Sequence, residues 1–410
     1  MFTITSDYTV SADSYSSLQK SLKFIKSTES ESGFYQIPDH TDLFAQSEKL
    51  AQELKLKFDK FVVIGVGGSS MGGRSLVEMA KATHITFLDN VDSVEIEHII
   101  KTHKQSVEKT AFIIISKSGS TIEILLNYST LHEQYQDLNK FDIIQNSYFI
   151  SETTPNPISN FAKTHHRPLL EIPLNIGGRF SVLTPVGLVI AALSGYNLND
   201  IRQGAQIALN DEDKIIHLAS LFLQSFQRKE NISLFWFYNS YCRWFGGWIQ
   251  QLWAESLGKK NTIDNKQAPD FSTPVIAIGS TDQHSILQQV AHGPKDKFVL
   301  IFDFDNTKSS KISLKDALFK EISFFNNRAY ADLISSQSLA TYKALKQNNV
   351  STVFINCHDL QKDQFTGYMF MFFQLLVATI GHHEKINPFD QPGVALGKQL
   401  SLEMLKANKI

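Results

Sequence analysis

The chain alternates short runs of apolar residues with longer amphipathic stretches. Each apolar run is rich in Val, Ile or Phe and ends at Gly, Asp, Ser, Asn or Tyr, which is typical of strands buried on both faces. Such strands occur in parallel sheets covered by helices, so the pattern predicts an α/β fold built from doubly wound parallel sheets. The runs begin at Phe61, Ile85, Ala111 and Ser147 in the first half and at Ile232, Pro274, Phe298 and Ser351 in the second.

The two groups of predicted strands indicate two similar domains in tandem, residues 60–200 and residues 201–385. The polar stretch 197–211, which lacks strand character, marks the join between them. Residues 1–59 are expected to form an N-terminal helical segment, because QSEKLAQELKLKFDK is amphipathic at helical spacing. Residues 386–410 are expected to form a C-terminal helix, with Pro392 suited to its first turn.

Composition and charge exclude several classes of protein. The 410 residues include 42% hydrophobic and 20% charged residues, and the formal net charge is -2, so no long-range positive field favours nucleic acid or an anionic membrane. Cys242 and Cys357 are far apart and suggest neither a disulfide framework nor a thiolate metal site. The start of the sequence lacks a signal-peptide pattern, and no apolar run approaches the roughly 20 residues of a membrane span. We expect a cytoplasmic protein.

The loop Gly65–Gly72 follows the first predicted strand and precedes a predicted helix starting near Arg74. The dinucleotide fingerprint would require Gly at the position of Ser70, and the P-loop would require Lys at the position of Arg74. Two other interpretations stay open at this point. The loop either binds a sugar phosphate or is only a tight turn between strand and helix.

The loop Ser116–Glu123 follows another predicted strand and also precedes a helical stretch. Its hydroxyl side chains and Gly119 stand at a helix N-terminus, where neutral donors and the helix dipole favour one phosphomonoester. A serine-rich helix cap is the alternative. Two such loops at the carboxyl ends of strands in one sheet indicate the crevice where α/β proteins bind ligands.

Six sequence blocks extend this interpretation to a known family. They resemble, in order, the signature blocks of the phosphoglucose isomerase (glucose-6-phosphate isomerase) family, and the resemblance runs from about Phe61 to Lys398. The sequence departs from the family pattern at Ser70, Leu257 and Ala395. The blocks are IGVGGSSMG, SKSGSTIE, GGRFS, WAESLGK, TDQHS and NPFDQPGVALGK.

The resemblance implies two sugar isomerase (SIS) domains and an enzyme that interconverts glucose 6-phosphate and fructose 6-phosphate through an enediol, in glycolysis and gluconeogenesis. It also implies a homodimer whose active site is shared between subunits, and a reaction that needs no metal or cofactor. The paired histidines 165–166 and 382–383 and the Cys357–His358 pair lack metal-ligand spacing and are interpreted as structural or solvated.

An aldose–ketose isomerase needs one base near two carbons and an electrophile for the developing oxyanion. The resemblance assigns Glu255 as the base and Arg179 as the cation, and Glu255 stands one helical turn from Gln251 in a predicted helix 240–257. Without the resemblance, a solvated glutamate at a helix end would be the better interpretation of Glu255. His284 and Lys398 are the candidates for ring opening, and their division of roles stays open.

The expected substrate-binding residues come from both loops, the predicted helix and the C-terminal segment. Gln391 and Lys398 are seven positions apart, which would place them on one side of the C-terminal helix. The full set is Gly68, Ser69, Ser116, Lys117, Ser118, Thr121, Gln251 and Gln391.

Two other functions use the same phosphate loop. A non-catalytic sugar-phosphate sensor would need the loop but not Glu255, Arg179, His284 and Lys398, so these residues favour the enzyme. A relative that accepts mannose phosphate or performs an amidotransferase-linked isomerisation is the third possibility, and no glutaminase domain accompanies the sequence.

Overall fold

The computed structural model describes residues 2–28, 33–304, 312–357 and 362–407. Every apolar run singled out in the sequence forms a strand, which confirms the α/β prediction. The strands are β1 (Thr3–Thr5), β2 (Lys60–Ile64), β3 (Ile85–Leu88), β4 (Thr110–Ile115), β5 (Ser147–Ser151), β6 (Leu169–Glu171), β7 (Ile232–Phe237), β8 (Thr273–Ile278), β9 (Lys297–Phe304), β10 (Ser313–Leu314), β11 (Arg328–Ala329) and β12 (Ser351–Cys357).

Helices connect and cover these strands. They are α1 (Ala12–Ile25), α2 (Thr41–Lys57), α3 (Met71–Ala80), α4 (Ser93–His103), α5 (Ile122–Asn139), α6 (Pro157–Thr164), α7 (Pro185–Leu193), α8 (Leu198–Asn210), α9 (Glu212–Gln227), α10 (Arg243–Leu257), α11 (Leu287–His292), α12 (Tyr330–Gln347), α13 (Lys362–His383) and α14 (Ala395–Lys406). The helix expected near Arg74 is therefore α3, which begins at Met71.

The strands form two five-stranded sheets and a short β10–β11 hairpin. The first sheet has the order β3-β2-β4-β5-β6 and is parallel throughout. The second has the order β1-β12-β9-β7-β8 and is parallel except for β1, which pairs antiparallel with β12. The N-terminal segment, expected to be helical and to precede the compact fold, thus adds an edge strand to the distant second sheet.

One hydrophobic core lies between the two sheets, and a smaller core covers the outer face of each. Along β2 the side chains alternate, so that Phe61 and Val63 face the shared core while Val62 and Ile64 pack against α4, α5 and α6. On the second sheet, Trp236 belongs to an outer core with α11 and α12. Both faces of each sheet are therefore buried, which explains the continuous apolar runs.

The predicted join between domains lies in a packed helix. The polar stretch 197–211 forms α8, and the boundary expected between residues 200 and 201 falls inside it. Gly204 permits close packing against α13, because a Cβ there would lie 1.8 Å from the Gln364 carbonyl oxygen. The domain limits themselves stay a prediction.

Among the described residues, helix α13 is long and apolar enough to cross a membrane by length and composition alone. The mean hydropathy of its apolar window is 1.3, and 89% of that window is buried inside the protein. Its side chains Tyr368, Phe370 and Phe373 pack in the shared core, as a central helix of a folded domain does.

The order of the first sheet places its ligand crevice between β2 and β4. The chain passes from β2 to β3 on one side and returns across β2 to β4 on the other, so the strand order reverses there. Ile64 and Ile114 are paired in register near the carboxyl ends of these strands, which brings the loops Gly65–Ser70 and Ser116–Thr121 to one edge.

Candidate active site

Helix α10 presents Gln251 and Glu255 on one face. Trp248 and Leu252, on the apolar stripe of the same helix, are 1% and 0% exposed and fix its orientation. Gln251 Nε2 donates to Glu255 Oε1 at 3.0 Å. The Glu255 side chain remains 29% exposed, so its carboxylate is accessible to solvent rather than buried in the core.

Arg179 lies in the 3₁₀ helix Gly178–Leu183 and its side chain is only 2% exposed. Nε donates to Ser256 Oγ at 2.7 Å, and Nη1 donates to Glu255 Oε2 at 3.3 Å and to Gln391 Oε1 at 3.2 Å. Nη2 donates to the carbonyl oxygens of Pro388 and Asp390. All five N–H donors of the guanidinium thus have acceptors, which fixes its plane beside the Glu255 carboxylate.

Burial lowers the pKa of the Arg179 guanidinium from its ordinary value, and the nearby Glu255 carboxylate opposes that shift. An arginine starts from so high a pKa that it stays charged under these conditions. The arrangement therefore places the permanent, fixed positive charge of Arg179 next to the partly exposed carboxylate of Glu255.

The glycine loop after β2 packs directly on the turn that carries Arg179. A Cβ on Gly68 would lie 2.3 Å from the Gly178 carbonyl carbon, so only glycine allows this approach of two backbones. Gly67 has a φ of +59°, and a Cβ there would lie 3.0 Å from Gln251 Nε2. The half-buried Ser69 ends the 3₁₀ helix formed by this loop. The loop thus contacts both α10 and the Arg179 turn.

The second loop gathers four hydroxyl groups at the start of α5, and among them Ser120 Oγ donates to Ser118 Oγ at 3.2 Å. Ser116 Oγ lies 3.3 Å and Ser118 Oγ 3.5 Å from Thr121 Oγ1. Thr121 is the residue before the first helical turn, yet its side chain forms no capping bond. Its hydroxyl is therefore directed to the other hydroxyls and not to the helix backbone, as a ligand-binding role would require.

Gly119 gives this loop its shape. It has a φ of +61°, and a Cβ there would lie 1.7 Å from Asn156 Oδ1, so a side chain would displace the Asn156 cap of α6. Lys117 extends away from the hydroxyls: its Nζ donates to the Leu174 carbonyl at 3.0 Å and pairs with Glu152 at 3.3 Å. The Leu174 contact ties the loop to the segment that leads into the Arg179 turn.

The described part of the chain brings together Glu255, Gln251, Arg179, Gln391 and the Gly67–Gly68 backbone, but not His284 or Lys398. His284 is exposed, while Asp282 and Gln283 anchor its turn through Ile278 N and the Tyr238 hydroxyl.

Lys398 is also exposed, and it lies on α14. Gln391 precedes that helix and its backbone is not helical, with φ -154° and ψ 62°, so the helical spacing expected to relate it to Lys398 does not apply.

Ser256, Lys259 and Asp390 join this group without having been expected. Lys259 Nζ donates to the Glu255 carbonyl at 2.9 Å and pairs with Asp390 Oδ1 at 2.8 Å. In the sequence, Ser256 and Lys259 follow Glu255 within four positions and Asp390 precedes Gln391. This closeness to expected site residues was the available signal for their involvement. Within the described residues, no group of three or more His, Cys, Asp or Glu side chains could hold a metal ion, and both cysteines are buried free thiols.

Comparisons with known proteins match most of the chain. The family model described as phosphoglucose isomerase matches residues 44–409. The chain is 31% identical over 397 residues to a glucose-6-phosphate isomerase of Campylobacter jejuni, covering 92% of each protein. It is 30% identical over 364 residues to a glucose-6-phosphate isomerase of Methanocaldococcus jannaschii, covering 85% of each.

Two solved structures share the fold. A hypothetical protein from Thermus thermophilus superposes with a TM-score of 0.86 at 24% identity, covering 95% of this chain and 94% of that one. A glucose-6-phosphate isomerase from Chlamydia trachomatis superposes with a TM-score of 0.80 at 18% identity, covering 100% of this chain and 89% of that one.

Proposed function

This chain belongs to the phosphoglucose isomerase family and is an aldose–ketose isomerase of glucose 6-phosphate and fructose 6-phosphate, and we propose that Glu255 and Arg179 carry its chemistry. The observation that supports these roles is the contact between Glu255 Oε2 and Arg179 Nη1, at 3.3 Å. A carboxylate that moves a proton and a fixed cation that stabilises the resulting oxyanion are the two groups an enediol route requires.

Glu255 acts as the base that transfers the proton between C1 and C2. One oxygen accepts from Gln251 and the other from Arg179, so both oxygens are oriented before substrate arrives. A single carboxylate can remove the proton from one carbon and return it to the neighbouring one, because the two carbons are bonded and lie within its reach.

Arg179 stabilises the enediolate through Nη1. The other guanidinium nitrogens are held by Ser256 and by backbone carbonyls, whereas both acceptors at Nη1 are side chains. The substrate oxygen therefore takes the place of Gln391 Oε1 at Nη1, and Gln391 turns to a sugar hydroxyl. The negative charge that develops on that oxygen then meets a cation that needs no reorganisation.

The phosphate is held by Ser116, Ser118 and Thr121, with backbone N–H groups near Lys117 and with Gly68 and Ser69 contributing from the first loop. This placement is supported by the strand register, since the two loops follow adjacent strands β2 and β4. Binding energy from the remote phosphate positions the reacting carbons over Glu255.

The active enzyme is a cytoplasmic homodimer in which the partner subunit's His284 assists ring opening together with Lys398. Supporting this, His284 is exposed, while hydrogen bonds of Asp282 and Gln283 anchor its turn. Mixing Glu255→Gln and His284→Ala proteins should restore activity through hybrid dimers. Absence of recovery despite verified subunit exchange would contradict the shared site.

The activity itself is tested by coupling glucose 6-phosphate formation from fructose 6-phosphate to a dehydrogenase. We expect the purified protein to catalyse this conversion with EDTA present. A protein that binds the sugar phosphate but does not isomerise it would instead be a sensor.

A further inference from the structure

Two buried cations hold the segment Pro388–Gln391 against the C-terminal end of α10. Arg179 donates to two carbonyl oxygens of this segment, those of Pro388 and Asp390. Lys259 also donates to the Asp390 carbonyl, and its ammonium pairs with Asp390 Oδ1 at 2.8 Å. The two cations therefore converge on one peptide carbonyl, immediately before Gln391.

Lys259 is an unusual lysine for its position at a helix end. Its side chain is 7% exposed, against 51% for its partner Asp390. Burial lowers the pKa of the Lys259 ammonium, and Asp390 opposes that shift. An exposed lysine at this helix end would interact favourably with the helix dipole without losing its hydration. The neighbouring Lys260 is exposed and could do so. The buried position thus indicates a requirement for specific contacts.

Those contacts connect both sides of the site. The third acceptor of the Lys259 ammonium is the carbonyl oxygen of Glu255, at 2.9 Å, one of the terminal carbonyls of α10 that lack a helical partner. Its three N–H donors thus join the residue that carries the carboxylate to the residue before Gln391. Helix α14, which follows this segment and carries Lys398, has no buried residue of its own to hold it in place.

We propose that Lys259 is a positioning residue of the isomerase, which fixes the backbone segments that carry Gln391 and Glu255 and sets the direction in which α14 leaves the site. This inference rests on the proposed function, because it assigns a role in that reaction. Lys259 acts through Asp390 and the Glu255 backbone and does not touch the substrate. Loss of its ammonium would leave the Arg179 contacts but free the Asp390 side chain.

The first test is the substitution Lys259→Met, which removes the charge and keeps the length. We expect kcat to fall by about tenfold or more, the effect of losing a buried hydrogen bond to a charged group, while KM for fructose 6-phosphate changes less than about threefold. KM should persist because the hydroxyls of the Ser116–Thr121 loop are untouched. Lys259→Arg should restore most of the rate, since the cation returns.

The matched control is Lys26→Met. Lys26 also donates to a backbone carbonyl, that of Leu209 at 2.9 Å, and pairs with a carboxylate, Glu212 at 2.7 Å, but it joins the end of α1 to α8 and α9. Its loss should leave kcat and KM unchanged. If Lys26→Met lowered kcat as much as Lys259→Met, the effect at Lys259 would be one of general stability.

A second readout does not depend on activity. Hydrogen exchange of peptides covering residues 387–400 should be at least about threefold faster in Lys259→Met than in the unmodified chain, and unchanged in Lys26→Met. An inactive unmodified chain would refute the proposed function and the role of Lys259 in that reaction, while faster exchange would still establish the clamp. Unchanged exchange together with unchanged kcat in Lys259→Met would overturn the positioning role.

If Lys259→Met fails to fold, Asp390→Asn tests the same contact from its exposed side. This substitution keeps the Asp390 carbonyl and weakens only the ion pair. We therefore expect it to lower kcat by a smaller factor than Lys259→Met does. Where both variants fold, the kcat of the double variant should be no lower than that of Lys259→Met alone. The reason is that both substitutions remove the same Lys259–Asp390 ion pair. Independent, multiplying effects would contradict the shared contact.

Discussion

Glu255 Oε2 lies 3.3 Å from Arg179 Nη1, yet the two side chains differ greatly in exposure, with the glutamate 29% and the arginine 2% exposed. The pair joins residues 76 positions apart in the chain. The cation is fixed by four further acceptors, whereas the carboxylate accepts one other side-chain hydrogen bond, from Gln251, and stays partly open to solvent. This asymmetry supports the roles proposed for the two residues, with Glu255 as an accessible base and Arg179 as a fixed electrophile.

Replacing Arg179 by lysine should damage both catalysis and stability. A lysine keeps the charge but cannot reach the five acceptors that the planar guanidinium satisfies. We expect kcat to fall about 100-fold, as for removal of a preorganised oxyanion donor. The free energy of unfolding should fall by about 2 kcal/mol, because carbonyls of the Pro388–Gln391 segment lose their donors.

Steady-state kinetics and urea unfolding measure these two effects. The control is Arg202→Lys, at a half-buried arginine on α8 that donates to Asn199 at 3.1 Å and lies outside the site. Unchanged kcat in Arg179→Lys would show that a point charge suffices there.

The Ser116–Thr121 loop should control substrate affinity more than turnover. Thr121→Val keeps the shape of the side chain and removes the hydroxyl that lies 3.3 Å from Ser116 Oγ. A lost hydrogen bond to a charged group should raise KM for fructose 6-phosphate by about tenfold or more. On the same helix, Ser129→Ala removes a hydroxyl bonded to the Leu125 carbonyl and should leave KM unchanged. Equal KM values for the two variants would remove Thr121 from the phosphate site.

His103 should make the protein less stable in mild acid. It ends α4, is 2% exposed, and burial lowers its pKa to about 4. An unfolded histidine has a pKa of about 6.5, so between these values the unfolded chain binds a proton that the folded chain does not. The contribution of His103 is therefore an increasing loss of stability as the pH falls from about 6.5 toward 4.

The variant His103→Gln cannot titrate and should reduce the slope of unfolding free energy against pH by at most about 1.4 kcal/mol per pH unit. Urea unfolding at several pH values in this window measures the slope, and His292→Gln, at an exposed histidine on α11, is the control. A slope equal to that of the unmodified chain would show that His103 does not carry the effect.

The strands that sequence reasoning predicted were those with continuous apolar runs, since burial on both faces leaves that local signature. Strand β1 was missed because Thr3–Thr5 is short and pairs with β12, at the far end of the chain. The three-residue β6 and the β10–β11 hairpin lack a comparable run. Their formation depends on neighbours that local pattern does not reveal.

Within the site, helical spacing correctly placed Gln251 beside Glu255, because both lie on α10. Spacing could not bring in Arg179 or Gln391, which come from other elements, and only the family resemblance suggested them. It also failed for Gln391 and Lys398, since the helix begins after Gln391. The assignment of Ser256 and Lys259 required the folded contacts themselves.

The most direct test of the account is the turnover of Glu255→Gln, which keeps the size of the side chain and removes its ability to accept a proton. We predict that isomerisation of fructose 6-phosphate falls by about 100-fold or more while binding of the sugar phosphate persists, and that Glu53→Gln, at an exposed glutamate on α2, retains full activity. Full activity in Glu255→Gln would contradict the assignment of Glu255 as the base.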